Sequence, residues 1–390
     1  MKYKIPFART NTSTNEYDYV KDVLDSGWLT TGKVAKKFEE NFKSYVNSKH
    51  AISVNSCTSA LHLALEAIGI KENDKVIVPA LTFTASAEVI RYFKAIPIIV
   101  DIDYDTCLIT PEIVESTLKK FSDVKAIIIV HFGGQAAQLL DNNNNKGLLN
   151  ICQKHKIPII EDAAHAFPTK HNDKFIGTFG DITCFSFYAN KTITTGEGGM
   201  ITTDSDEYAT RMRLMRLHGI DRDPWNNYSS PKPKWDYDVV APGFKYNLPD
   251  INAAIGVAQL ERAEDMRMKR QKCAQLYNEH FSQITSIDLP VLTTPMKHHS
   301  WHLYPIIINN TSQISRDDVV KLLFENGIST SVHYKPLYRM KYYKETYNLI
   351  NDNYPGCEKY YKGCISLPIY PSLSKDEIFH IIKVIKGICA

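Results

Sequence analysis

Between about residues 50 and 205, short runs of β-branched and other apolar residues alternate with longer stretches whose apolar positions recur at helical spacing. The short runs Ala51–Val54, Lys75–Val78, Ile96–Asp101, Ala126–Val130, Ile157–Glu161 and Ile182–Phe187 predict strands. The amphipathic stretches Ser59–Ile68, Ala85–Phe93, Pro111–Phe121 and Lys146–His155 predict helices between them. This is the rhythm of βαβ units, so a large α/β domain with a mostly parallel, helix-covered sheet is expected. Past Asp250 a charge-rich helical stretch runs to about His280, a strand follows over Leu303–Ile308, and a helix over Lys375–Ile388 closes the chain. These predict a smaller C-terminal α+β domain, with the boundary between 245 and 285; placed at 255, it gives domains 1–255 and 256–390. A chain of 390 residues suits two lobes and a cleft, at roughly 150 residues per domain.

Ligands of such sheets bind beyond the carboxyl ends of the strands. The residues there are unusually polar: Asn55 to Ser59, Pro79 to Thr84, His131 to Gln135, Glu161 to His165, and Tyr188 to Lys191. Five strand ends thus converge on one chemical neighbourhood. The segment Asn55 to Leu61 puts hydroxyls at a helix start, where free N–H groups and the helix dipole attract phosphate; alone it also reads as a plain Ser/Thr N-cap. Asp162 ends a strongly apolar strand, where an ionised carboxylate needs a cationic partner such as a protonated pyridine nitrogen, or else backbone donors. Lys191 follows another apolar strand and precedes the glycine-rich run Thr192 to Gly199. A lysine in a polar cleft near other positive charge can lose its proton, as Schiff-base chemistry requires, although most lysines only solvate a surface. The glycine-rich run lacks the spacing of a Walker loop and suits a tight turn.

Composition narrows the classes. The net charge of +3, from 46 basic and 43 acidic residues spread along the chain, offers no basic stripe for nucleic acid. No apolar run approaches the ~20 residues of a membrane span. The N-terminus lacks a secretory apolar core, so a cytoplasmic protein is expected. The eight cysteines form no C-x-x-C pair and are expected to be reduced and mostly buried, with no metal site. The run Asp141 to Lys146 reads as a loop tip.

Taken together, Gly27 to Gly32, Glu161 to Ala166, Phe185 to Lys191, Thr194 to Gly199 and Gly243 to Ala254 resemble the DegT/DnrJ/EryC1/StrS aminotransferase family, in the family's order over nearly the whole chain. The resemblance is greatest to members that aminate C4 of a nucleotide-linked 4-keto sugar for surface polysaccharide or glycan synthesis. It implies pyridoxal-phosphate (PLP) fold type I, like aspartate aminotransferase, and a homodimer with active sites at the subunit interface. L-glutamate would convert PLP to pyridoxamine phosphate, which would aminate the sugar, UDP being the first choice of nucleotide ahead of GDP and dTDP.

By the same resemblance Lys191 holds the cofactor and moves the protons, Asp162 pairs with the pyridine nitrogen, and Phe83 covers the pyridine face. His165 lies beside the phenolic oxygen, and Ser186, Thr58 and Ser59 hold the phosphate. Lys245 and Asn247 match the motif that reaches into the neighbouring subunit; many members have Asn and Arg at these places, so which one touches phosphate stays open. Tyr188 stands where many relatives carry histidine, and His333 matches a motif lining the sugar-nucleotide site. Trp28, Thr31 and Gly32 help close the entrance. Two alternatives remain: a sugar dehydratase, whose family members replace the lysine by histidine, and a non-catalytic regulatory protein on the same fold.

Overall fold

The computed structural model describes residues 4–142, 146–221 and 237–389. Its centre is a seven-stranded sheet of β1 (His50–Val54), β2 (Lys75–Pro79), β3 (Ile96–Val100), β4 (Val124–Val130), β5 (Ile159–Asp162), β8 (Ile182–Ser186) and β9 (Gly199–Thr203). The order across the sheet is β1-β9-β8-β5-β4-β2-β3. The short pair β6 (Lys170–His171) and β7 (Lys174–Phe175) forms a separate hairpin. Strands β3, β2, β4, β5 and β8 run parallel, and β9 is antiparallel to both β8 and β1. All six expected strands are present within two residues of their expected ends. The seventh, β9, was not anticipated, because its glycine-rich approach reads as loop.

Alternation along the strands explains why both sheet faces are apolar. Ile127, Ile129, Ile159 and Phe185 pack with Phe38, Phe42 and Ala253 on one side. Ala126, Ile128, Ile160 and Ile182 pack with Leu61, Leu65 and Ile90 on the other. Buried on two faces, these strands must be nearly all apolar, as observed. The intervening helices carry their own stop signals. Ser56 accepts the Ser59 N–H at the start of helix Cys57–Ile68, and Gly69, at φ 87°, ends it. Thr110 caps helix Pro111–Lys120 with proline in its first turn.

The expected long helix past Asp250 is two helices, Asp250–Glu261 and Ala263–Phe281, separated at Arg262. Beyond them a three-stranded antiparallel sheet of β10 (Ile287–Asp288), β11 (Tyr304–Ile308) and β12 (Cys364–Leu367) packs on helix Lys375–Cys389 around Trp301, Tyr277 and Phe281. The N-terminal Ile5 pairs with Ile328 and is buried in that same core. All eight cysteines are free, and all but Cys57 are buried. The loop Asp221–Val239 lies largely, and the asparagine-rich run Asp141 to Lys146 partly, outside the described residues. No helix among the described residues is long and apolar enough to cross a membrane.

Candidate active site

The carboxyl ends of β1, β2, β4, β5 and β8 open onto a cavity of about 510 Å³. Its wall includes Ser56, Cys57 and Thr58 after β1, Thr82 and Phe83 after β2, Asp162 and His165 at β5, and Ser186, Tyr188, Asn190 and Lys191 at β8. His333 and Tyr334 complete the wall from the C-terminal half of the chain. Of the residues expected from sequence, Thr58, Phe83, Asp162, His165, Ser186, Tyr188, Lys191 and His333 therefore meet around one space. Phe83 and Tyr188 are 60% and 49% exposed, which places both at its open side.

Six expected residues, Ser59, Trp28, Thr31, Gly32, Lys245 and Asn247, lie elsewhere. Ser59 turns behind the helix start, donating to Asn55 Oδ1 at 2.6 Å; Ser56, one turn earlier, faces the cavity in its place. Thr31, Lys245 and Asn247 form a separate cluster. Lys245 Nζ donates to Asn247 Oδ1 (2.6 Å), Asn247 Nδ2 to Thr31 Oγ1 (2.5 Å), and Thr31 Oγ1 to the Leu248 carbonyl (2.7 Å). Nearby, Gly32 N–H donates to Asp250 Oδ1 at 2.7 Å, and Trp28 Nε1 donates to the Thr31 carbonyl at 3.2 Å.

Asp162 is buried at the end of β5. Its Oδ2 accepts from Ser86 Oγ at 2.7 Å and its Oδ1 from the Ala164 N–H at 3.1 Å; the Cys57 thiol stands 4.0 Å from Oδ1. Burial raises its pKa, opposed first by the Ser86 hydrogen bond, then by Ala164 and by the charge of Lys191. Lys191 is driven the other way, down to about 8, by burial, with Cys57 and Asp162 opposing the fall. Nearby positive charge, expected from the sequence to free this amine, is not the cause; removal from water is. His165 is held well below the usual imidazole range by burial, then by Lys191 and His333, and His333 is lowered to about 4 by burial and Lys191. Neighbouring Glu161 faces away from the cavity. It accepts from His131 Nε2 (2.8 Å), Gly180 N–H (2.7 Å) and Thr183 Oγ1 (2.7 Å), the His131 and Glu161 side chains being fully buried.

The helix Cys57–Ile68 begins against Gly199 of β9. A β-carbon on Gly199 would stand 2.7 Å from the Ser56 carbonyl and 2.9 Å from Cys57 N, so only glycine lets β9 pass this close. The approach puts the helix N-terminus, Thr58 and Ser186 on the same cavity, an arrangement suited to a phosphate group. Ser86, Thr82, Cys57 and Tyr334 were not singled out from the sequence. Ser86 sits among apolar neighbours in a helix and reads as filler, and Tyr334 acquires its place through contacts with distant residues, His165, Phe132 and Phe83.

Comparison with known proteins fits this geometry. The model of the DegT/DnrJ/EryC1/StrS aminotransferase family matches residues 11–386. The chain belongs to that family. It is similar to the spore coat polysaccharide biosynthesis protein SpsC of Bacillus subtilis, at 39% identity over 390 residues, covering 98% of this chain and 97% of that protein. Among solved structures it is similar to Helicobacter pylori PseC, an aminotransferase involved in the biosynthesis of pseudoaminic acid, at 27% identity and a TM-score of 0.89 over 99% of each chain. It is equally similar in fold to Streptococcus pneumoniae Spr1654 in its PLP form, at 30% identity and a TM-score of 0.89 over 99% of each chain; that protein is also solved in a PMP form. The fold is accordingly fold type I, the chain is a sugar aminotransferase, and its cofactor is PLP.

The cavity fits that group. Asp162 is a buried carboxylate whose hydrogen-bond partners among the described residues are neutral donors, so a protonated ring nitrogen would give it a charged hydrogen-bond partner. Lys191 is an amine that burial pushes toward its neutral, nucleophilic form.

Proposed function

We propose that the chain transfers the amino group of L-glutamate to C4 of a 4-keto sugar carried on a nucleoside diphosphate, with UDP the first choice of carrier. The observation that carries this reading is Lys191, an amine lowered to about 8, on the same cavity as Asp162. When bound, PLP supplies an aldehyde that captures amines and a ring that takes up electron density. Asp162 keeps the ring nitrogen protonated, while Thr58, Ser186 and the helix start at Cys57 hold the phosphate. Phe83 covers the ring face, and His165 lines the edge that carries the phenolic oxygen.

Lys191 carries the proton on and off the reacting carbons, first of glutamate and then of the sugar, and the sugar's carbonyl oxygen departs as water. The cavity is within the range that encloses small ligands, so the nucleotide extends outward past Phe83, Tyr188 and His333. Thr31, Lys245 and Asn247, standing apart from this cavity in their own chain, serve the cavity of a second copy, which makes the working unit a homodimer.

The test is incubation with glutamate and a panel of 4-keto sugars on UDP, GDP and dTDP, with the products weighed. An amino sugar is expected, and Lys191→Ala is expected to abolish turnover together with the visible band of the bound cofactor. Normal turnover in that variant, or a deoxygenated sugar formed without amino transfer, would overturn the reading.

A further inference from the structure

The hydrogen bonds around His165 have a direction, and the direction ends in the cavity. The Gly133 N–H donates to His165 Nδ1 at 3.2 Å, so that nitrogen carries no proton. Gly133 presents its N–H from a left-handed backbone, φ +68°, and Ser300 Oγ fixes the other side by donating to the His165 carbonyl at 2.6 Å. A neutral imidazole with Nδ1 accepting must hold its proton on Nε2. That nitrogen lies 2.8 Å from the Tyr334 hydroxyl, so His165 donates and the tyrosine oxygen accepts. The phenolic proton of Tyr334 is left over. Among the described residues the hydroxyl has no second hydrogen bond, and Tyr334 is part of the cavity wall. Its ring is wedged against Phe83 at 6.0 Å, Phe132 at 6.2 Å and His333 at 4.9 Å between centroids, so the hydroxyl is held rather than free to swing.

We infer that Tyr334 is the oriented hydrogen-bond donor of this cavity, delivering its hydroxyl proton to an oxygen of what is bound there, either on the cofactor ring or on the sugar. His165 is then a positioning residue that fixes which way the tyrosine points. The donor needs an oxygen acceptor with free lone pairs, and both the cofactor's ring oxygen and the sugar's carbonyl or hydroxyl oxygens qualify.

Tyr334→Phe tests this, because it keeps the wedged ring and removes only the hydroxyl. Two measurements on the holoprotein separate the acceptors: the pH titration of the visible absorption of bound PLP, and the KM and kcat for the sugar. The sugar measurement rests on the function proposed above, whereas the cofactor measurement does not. A displaced titration with sugar KM unchanged assigns the donor to the cofactor ring. A KM or kcat altered about tenfold, the scale of one well-placed hydrogen bond, with the titration unchanged assigns it to the sugar. His165→Ala is expected to move the same quantity less, since the donor remains but loses its orientation. If Tyr334→Phe, unfolding at the wild-type temperature, leaves the titration and the sugar constants untouched, Tyr334 only packs and the inference falls. If no keto sugar is aminated at all, the substrate reading fails while the cofactor titration still decides for or against the donor on the ring.

Discussion

Replacing Ser86 with alanine removes one hydroxyl that no ligand touches, and the cofactor is expected to register it. Ser86 is fully buried, and its one proton goes to Asp162 Oδ2 at 2.7 Å. Thr82 Oγ1 lies 2.7 Å from Ser86 Oγ, so Thr82 must be the donor in that contact, and the three residues form a chain pointing at the carboxylate. Burial raises the pKa of Asp162, and the Ser86 hydrogen bond is the largest force against it. A hydrogen bond to a charged group contributes about 1.5–3 kcal/mol. Its loss lets burial push the carboxyl further upward. The weakened counterion should loosen PLP by roughly tenfold or more in an equilibrium titration and displace the pH titration of the visible band. Ser86→Thr, which keeps a donor, should restore much of both. The apoprotein gives an independent check on sign. The lost contact favours only the ionised form, so the stability gap between variant and wild type is present at neutral pH and closes as acid protonates Asp162 in both. Unchanged PLP affinity together with an unchanged band in Ser86→Ala would falsify this account of Asp162.

Three further outcomes follow from contacts already described. Capture of PLP by the apoprotein should speed up as pH rises through about 8 and level off above it, because Lys191 reacts only when deprotonated; a rate flat from pH 6.5 to 9.5 would count against a lowered lysine. His131→Ala leaves Glu161 buried without its imidazole donor, and urea unfolding should show a loss of about 3 kcal/mol; a loss below about 1 kcal/mol would mean that water replaces the ring. Asp250 accepts the N–H groups of Gly32, Val34 and Ala35 at 2.7, 3.2 and 2.8 Å, capping helix Lys33–Val46 from a distant element. Asp250→Ala should therefore cost about 1–2 kcal/mol, and a thermal midpoint equal to wild type would show that the cap contributes nothing.

The strands and their polar ends were legible because the sheet is buried on both faces, which forces apolar runs, and because a ligand at the sheet edge forces polar residues immediately after them. Asp162 and Lys191 could be found this way, each from its own strand. What was hidden depends on encounters between distant segments. Ser86 looks like a small helical residue until Asp162, 76 positions later, arrives beside it. Tyr334 becomes a donor only when His165 and Gly133, from two other strand ends, set its hydrogen-bond polarity. The strand β9 was masked by the glycines that let it pass the helix start at Ser56. Thr31, Lys245 and Asn247 carry a recognisable motif, but their own chain ties them to one another instead of to its cavity.

Asp162 and Lys191, which share the cavity, are displaced in opposite senses by one cause. Burial raises the carboxyl of Asp162 and lowers the amine of Lys191, so each is pushed toward its neutral form, and each partly holds the other back. Removing either from water without a full partner costs folding free energy. That cost stands in the apoprotein, and on the function proposed above it would be offset by a cofactor whose ring nitrogen pairs with Asp162 and whose aldehyde takes up the Lys191 amine. The same burial therefore serves two ends. It makes the lysine nucleophilic near neutral pH, and it makes cofactor binding a source of stability through mass action. A lysine exposed to water would stay hydrated and keep its proton, and would have neither property.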